Sequence, residues 1–124
     1  MVISIETLSE MVALWAASEP VVKTAYLFGS RVRGDNRCDS DLDVAIELTP
    51  RRCDSGPLAT WIAEAPRLRS SISLHIPLAV DLQWYGGAID TPIIHTGLAA
   101  GSRTVYERSA QPSAAGDAPQ ASRP

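Results

Sequence analysis

Histidine, cysteine and long apolar runs are scarce in this chain, and each scarcity closes off a class of chemistry. There are two histidines and two cysteines in 124 residues. His75 and His95 are not spaced as a pair, so both read as packing or surface residues rather than catalysts. Cys38 and Cys53 have no second cysteine or histidine at zinc-ligand spacing, which argues against a structural zinc site; in a reducing compartment both are expected as free thiols. No apolar stretch is long enough to cross a bilayer, and Met1-Val2-Ile3-Ser4 lacks the basic-then-apolar build of a secretion signal. A cytoplasmic protein with no membrane contact is expected. An excess of positive charge is also missing: 11 basic side chains face 14 acidic ones, a net charge of -3, so no direct binding of nucleic acid is expected.

The length suits one compact domain and leaves no room for a second of ordinary size. Leu8, Met11, Val12 and Trp15 recur at helical spacing between a capping Ser4 and Pro20, which predicts a helix over 5–18. Val21 to Phe28 reads as a strand ended by Gly29, and Ser30 to Ser40 as a surface turn and loop. Asp41 to Leu48 starts by alternating acidic and apolar residues, the period of a strand with one face in a core. Pro57 opens a helix carrying Leu58, Trp61, Ile62 and Leu68 on its apolar face, and Pro66 should bend or break it. A strand over Pro77 to Trp84, a helix over 92–100 and a short strand from Arg103 to Tyr106 complete a folded unit over 1–108. Residues 109–124, rich in Ala, Ser and Pro, are expected to be a disordered tail.

Chemistry concentrates where a strand ends in Gly29-Ser30 and another opens with Asp41-Leu42-Asp43. Alternate side chains of a strand project to one side about 7 Å apart, so Asp41 and Asp43 point together. Their repulsion at close range, on the order of 3–4 kcal/mol at an effective dielectric of about 20, is a cost that divalent cations remove. Magnesium prefers a few carboxylates completed by phosphate oxygens and water. Gly29 lets the backbone approach a phosphate, Ser30 adds a hydroxyl, and Arg31 and Arg33 can reach a triphosphate from the same turn. Asp81 interrupts an apolar run; it is either a third acid of the site or an exposed residue of an edge strand.

Phe28-Gly29-Ser30-Arg31-Val32-Arg33-Gly34 followed by Asp39-Ser40-Asp41-Leu42-Asp43-Val44 resembles the signature of the polymerase-β-type nucleotidyltransferase superfamily in its minimal, MNT branch. Val80-Asp81-Leu82 resembles the family's third-carboxylate strand. The resemblance implies an α/β (α+β) fold, a mixed sheet with flanking helices. It implies that Gly29 and Ser30 bind the triphosphate and that Asp41 and Asp43 hold two Mg2+ ions. Asp81 would help hold a metal and orient the attacking hydroxyl. It further implies transfer of AMP from ATP, and, since no acceptor domain is present, a protein acceptor. MNT proteins are commonly antitoxins that adenylylate and bind a HEPN-type ribonuclease toxin. Transfer to a small molecule such as an antibiotic, with help from a partner chain, and a non-catalytic toxin-binding module are the alternatives; self-association is left open. The stretch Asp90 to Gly101 departs from the family pattern, with Thr96-Gly97 inside the expected helix.

Trp15 and Trp61 are expected in the core, Trp84-Tyr85 is a candidate exposed contact at a strand end, and Arg51-Arg52 reads as a solvated loop.

Overall fold

The computed structural model describes residues 3–37 and 40–108; the expected tail over 109–124 and Cys38 lie outside them. Helix α1 (Ile5–Ser18) starts where Ser4 Oγ accepts the Thr7 amide at 3.1 Å, and buries Leu8, Val12, Trp15 and Ala16. After it come β1 (Val22–Phe28), the single turn α2 (Ser30–Arg33), β2 (Leu42–Leu48), the long helix α3 (Pro57–His75) and β3 (Val80–Trp84). The chain closes with α4 (Gly87–Asp90), α5 (Pro92–Ala100) and β4 (Ser102–Glu107). The four strands form one mixed sheet in the order β3-β2-β1-β4. β1 is antiparallel to β2 and β4, and β2 is parallel to β3 across the α3 connection.

Side-chain alternation divides the sheet into two faces. Leu42, Val44, Ile46 and Leu48 of β2 join Ala25, Leu27 and Leu82 in one core with the buried residues of α1 and α3. The opposite face carries Tyr26, Phe28, Asp43 and Gln83. There α5 approaches the sheet: Tyr85 Oη and His95 Nδ1 are 2.8 Å apart, and Gly97 lies against Phe28. Neither α4 nor α5 buries a residue fully.

Several expectations need correction. The helix α3 is continuous through Pro66, so of the expected bend or break the break does not occur. Pro66 is exposed, and the Ile62 carbonyl that loses its donor belongs to a residue 68% exposed, where solvent can meet it. The buried stripe of α3 is Thr60, Ala65, Leu68 and Ile72. Leu58, Trp61 and Ile62 fall outside this stripe because the first turns of α3 border a cleft. β3 begins at Val80 rather than Pro77, whose ring has no amide to give a ladder. Trp84 is buried rather than an exposed contact; both histidines are exposed, within the packing-or-surface expectation. Cys53 is an exposed free thiol, as expected.

Arg51 does more than face solvent. It donates to Asp54 Oδ2 at 2.7 Å and to Glu64 Oε2 at 2.8 Å. Bonds from Arg51 and Thr60 hold the Asp54 carboxyl down to about 2. Glu64 is gripped in turn by Arg67, which also meets Glu19 Oε1 at 2.9 Å. Ser71 Oγ donates to Glu19 Oε2 at 2.7 Å and accepts from Trp15 Nε1 at 3.0 Å. A polar chain thus ties the loop before α3 to the core indole of α1.

Burial pushes the Glu19 carboxyl up, but the bonds from Arg67 and Ser71 to its charged form outweigh that, and its pKa lies below the ordinary 4.5. With the folded value depressed, its stabilising contribution is complete above about pH 4.5 and is lost as the pH falls through the folded value. Glu19→Gln is therefore expected to lower the unfolding free energy at pH 7 by about 1–3 kcal/mol. Denaturant titrations of both proteins at pH 7 and pH 3 should show that difference shrinking in acid; an equal difference at both values would remove the charge from the explanation.

Candidate active site

Gly29 closes β1 with φ +81°, a backbone region that favours glycine. A Cβ placed there would overlap Asp43 Oδ2, so the Asp43 carboxylate lies directly on the bare Cα. The Gly29 carbonyl accepts the Val32 and Arg33 amides, both at 3.1 Å, which turns the chain at once into α2 and sets Ser30 at its start.

The sheet register assembles the acids. Phe28 pairs with Asp43 across β1 and β2, and Asp43 pairs with Asp81 across β2 and β3. Gly29, Asp43 and Asp81 therefore meet at one end of three adjacent strands. Asp41 precedes β2 and is exposed. Burial, followed by the charges of Asp81 and Asp41, raises the Asp43 pKa above its ordinary 3.8, with Arg33 opposing. Asp81 Oδ1 accepts from Gln83 Nε2 at 2.7 Å.

The two arginines differ. Arg31 donates from Nε and Nη2 to the Ser40 carbonyl at 3.0 and 2.7 Å, so its fork braces the loop leading into Asp41. Arg33 is exposed and makes one long contact of 3.4 Å with Asp35 Oδ2.

A cleft of about 900 Å3 opens beside the acids, walled by Asp43, Asp81, Phe28, Trp61, Ile93 and Gly97. Gly29, Ser30 and Asp41 lie outside its wall. A second cavity, of about 560 Å3, sits towards the far ends of β2 and β3. Trp61, expected in the core, is half-buried: it packs against the core cluster and carries the Arg69 guanidinium 5.1 Å from its ring centroid. Gln83 was missed by sequence reasoning, although strand alternation from Asp81 places it on the same face. Gly97 explains part of the unusual Thr96-Gly97 pair: a Cβ would come within 3.1 Å of the Phe28 ring, so glycine lets α5 settle on the residue preceding the Gly-Ser turn.

Among the described residues, no group of three or more His, Cys, Asp or Glu side chains could by itself hold a metal ion. The acids are instead all oxygen donors that repel one another at the edge of an open cleft. That donor set fits a hard cation completing its shell with phosphate oxygens and water, as magnesium does. No helix among the described residues is long and apolar enough to cross a membrane.

A family model described as "Polymerase beta, Nucleotidyltransferase" matches residues 10–111. The chain belongs to the polymerase β nucleotidyltransferase family. Among solved structures, a toxin-antitoxin crystallised with AMP-PNP is 17% identical, with a TM-score of 0.56 over 82% of this chain and 74% of that one. A mutant of the toxin-antitoxin MntA-HpeT is also 17% identical, with a TM-score of 0.58 over the same shares. At that identity the likeness is one of fold. No curated protein matches the chain.

In this nucleotidyltransferase the cost of gathering the acids is measurable. A carboxyl whose pKa is raised by folding destabilises the fold increasingly as the pH rises from its unfolded value, 3.8, through its folded one. Asp43→Asn is expected to raise the melting temperature of the ligand-free protein at pH 7 and to leave it unchanged below about pH 3.8. Scanning calorimetry at both values checks this; a lower melting temperature at pH 7 would contradict it. Gly29→Ala should do the reverse, losing about 1–3 kcal/mol of stability to backbone strain and to the displaced carboxylate.

Proposed function

We propose that this chain is a Mg2+-dependent nucleotidyltransferase that moves AMP from ATP to a hydroxyl of a partner protein, a HEPN-type toxin, and serves as the antitoxin of the pair. The observation that carries the reading is the register that brings Gly29, Asp43 and Asp81 to one sheet end beside a cleft. The solved toxin-antitoxin structures, one with an ATP analogue, share its fold and support the biological setting.

The residues divide the work. The backbone and hydroxyl at Gly29-Ser30 receive the triphosphate, with Arg33 near enough to offset charge. Asp41, Asp43 and Asp81 would hold two Mg2+ ions. When bound, these neutralise phosphate charge and polarise the α-phosphoryl group. The acceptor hydroxyl enters by the cleft on the Asp81 side, away from the Gly-Ser turn. Gln83 steadies Asp81 Oδ1, leaving Oδ2 to receive the hydroxyl proton. The acceptor oxygen then bonds the α-phosphorus, the bond from that phosphorus to the bridging oxygen breaks, and pyrophosphate leaves. Positioning and charge compensation supply most of the acceleration. Exposed Leu58 and Ile93 at the cleft give an apolar rim suited to a protein acceptor.

Radiolabelled ATP with Mg2+ and a HEPN-type toxin encoded beside this chain is the direct test. Label is expected on the toxin, and Asp81→Asn should cut transfer about a hundredfold or more while ATP still binds. Asp81 is exposed on the edge strand β3, and transfer at the wild-type rate in Asp81→Asn would leave it no part in the site. Toxin neutralised with no label transferred would favour a binding module. Mg2+ plus ATP should also stabilise the fold, by about 2.7 kcal/mol at a hundred times the dissociation constant. Replacing Asp41 and Asp43 together by Asn should abolish that stabilisation in a thermal-shift measurement.

A further inference from the structure

Of the three carboxylates, Asp41 is the one the sheet does not hold. Asp43 is fixed by register partners on both sides, whereas β2 starts at Leu42 and Asp41 stands exposed before it. The peptides flanking Asp41 are nevertheless both anchored. On one side the Ser40 carbonyl takes two N–H bonds from Arg31, at 3.0 and 2.7 Å. On the other the Leu42 amide donates to the Ala79 carbonyl at 2.9 Å. The Ser40 hydroxyl also accepts the Arg37 amide at 2.8 Å, which closes the loop end. Arg31 follows Ser30 directly, so the turn that meets the triphosphate is the element that fixes the chain entering Asp41.

We propose that Arg31 is a positioning residue: through the Ser40 carbonyl it presents Asp41 to the cation shared with the triphosphate, and it does not act as a phosphate ligand. This rests on the nucleotidyltransferase reading. A guanidinium suits the role because its planar fork aims two donors at one oxygen and fixes the direction of the peptide, whereas an ammonium gives one bond without a plane. Groups that orient a metal ligand commonly change metal affinity by about tenfold to a hundredfold when removed.

The test titrates Mg2+ into the full chain at fixed AMP-PNP and follows bound analogue by calorimetry. Arg31→Met is expected to raise the Mg2+ midpoint about tenfold or more, while AMP-PNP affinity at saturating Mg2+ stays at the wild-type value. Arg31→Lys should fall between the two, and it carries the comparison if Arg31→Met does not fold. Amide hydrogen exchange at Leu42 should quicken in Arg31→Met without any ligand. Weaker AMP-PNP binding at saturating Mg2+ with an unchanged midpoint would make Arg31 a phosphate ligand and overturn the proposal. Unchanged midpoint and unchanged exchange would overturn it as well. A wild type that binds no AMP-PNP at any Mg2+ concentration overturns the nucleotide reading and the proposal together, so the two failures are told apart.

Discussion

The contact between the Asp43 carboxylate and the bare Cα of Gly29 is the constraint on which the site depends. It forces glycine at a position of positive φ, and that conformation turns the chain from β1 directly into α2. Because Asp43 is also the register partner of Asp81, one side chain links the Gly-Ser turn to the third acid. A one-residue slip of β2 would send Asp43 to the core face and Leu42 or Val44 to the cleft. The apolar alternation that buries Leu42, Val44 and Ile46 therefore also aims the acids.

Stability and chemistry are kept on opposite faces. The core between the sheet and helices α1 and α3 holds most of the fully buried side chains, and the chain from Trp15 through Ser71, Glu19 and Arg67 locks the two helices at that side. The other face is covered only partly, by α5, which buries nothing fully and meets the sheet through His95 and Gly97. A tightly packed helix there would fill the cleft that the proposed function gives to the acceptor. The unpaired repulsion among the acids is sustained by the apolar burial behind them, on strands that share both roles.

Most of the fold was legible because its signals are local. Ser4 and Pro20 bracket α1, Gly29 ends β1, Thr91-Pro92 and Gly101 bracket α5, and the Gly-Ser and Asp-x-Asp pairs carry a family signature. What escaped depended on tertiary placement. Pro66 sits where its neighbours are exposed, and the α3 stripe moved because the first turns of the helix border a cleft. Periodicity marks Trp61 as apolar without saying whether a core or a cleft faces it. Arg31 and Arg33 look equivalent on a turn, yet only the folded loop decides that one guanidinium reaches the Ser40 carbonyl. Sequence spacing fixes which residues are near; hydrogen-bond direction is settled by the return path of the chain.

Charge accounting shows why cations belong to the reading. Burial and the charges of Asp81 and Asp41 raise the cost of ionising Asp43, and Arg33 is the cation whose field relieves it. In the proposed function a triphosphate at the Gly-Ser turn would add several further negative charges beside them, with Arg31 already donating to a backbone oxygen. One exposed arginine offsets little of that in water, where charge pairs contribute about 1 kcal/mol or less. Under the proposed function, the protein's own residues would bring negative charge to negative charge and leave the balance to ions arriving with the nucleotide. Such a site would then give little reason to bind the triphosphate without divalent cations, and the cations and the nucleotide would each raise the affinity for the other.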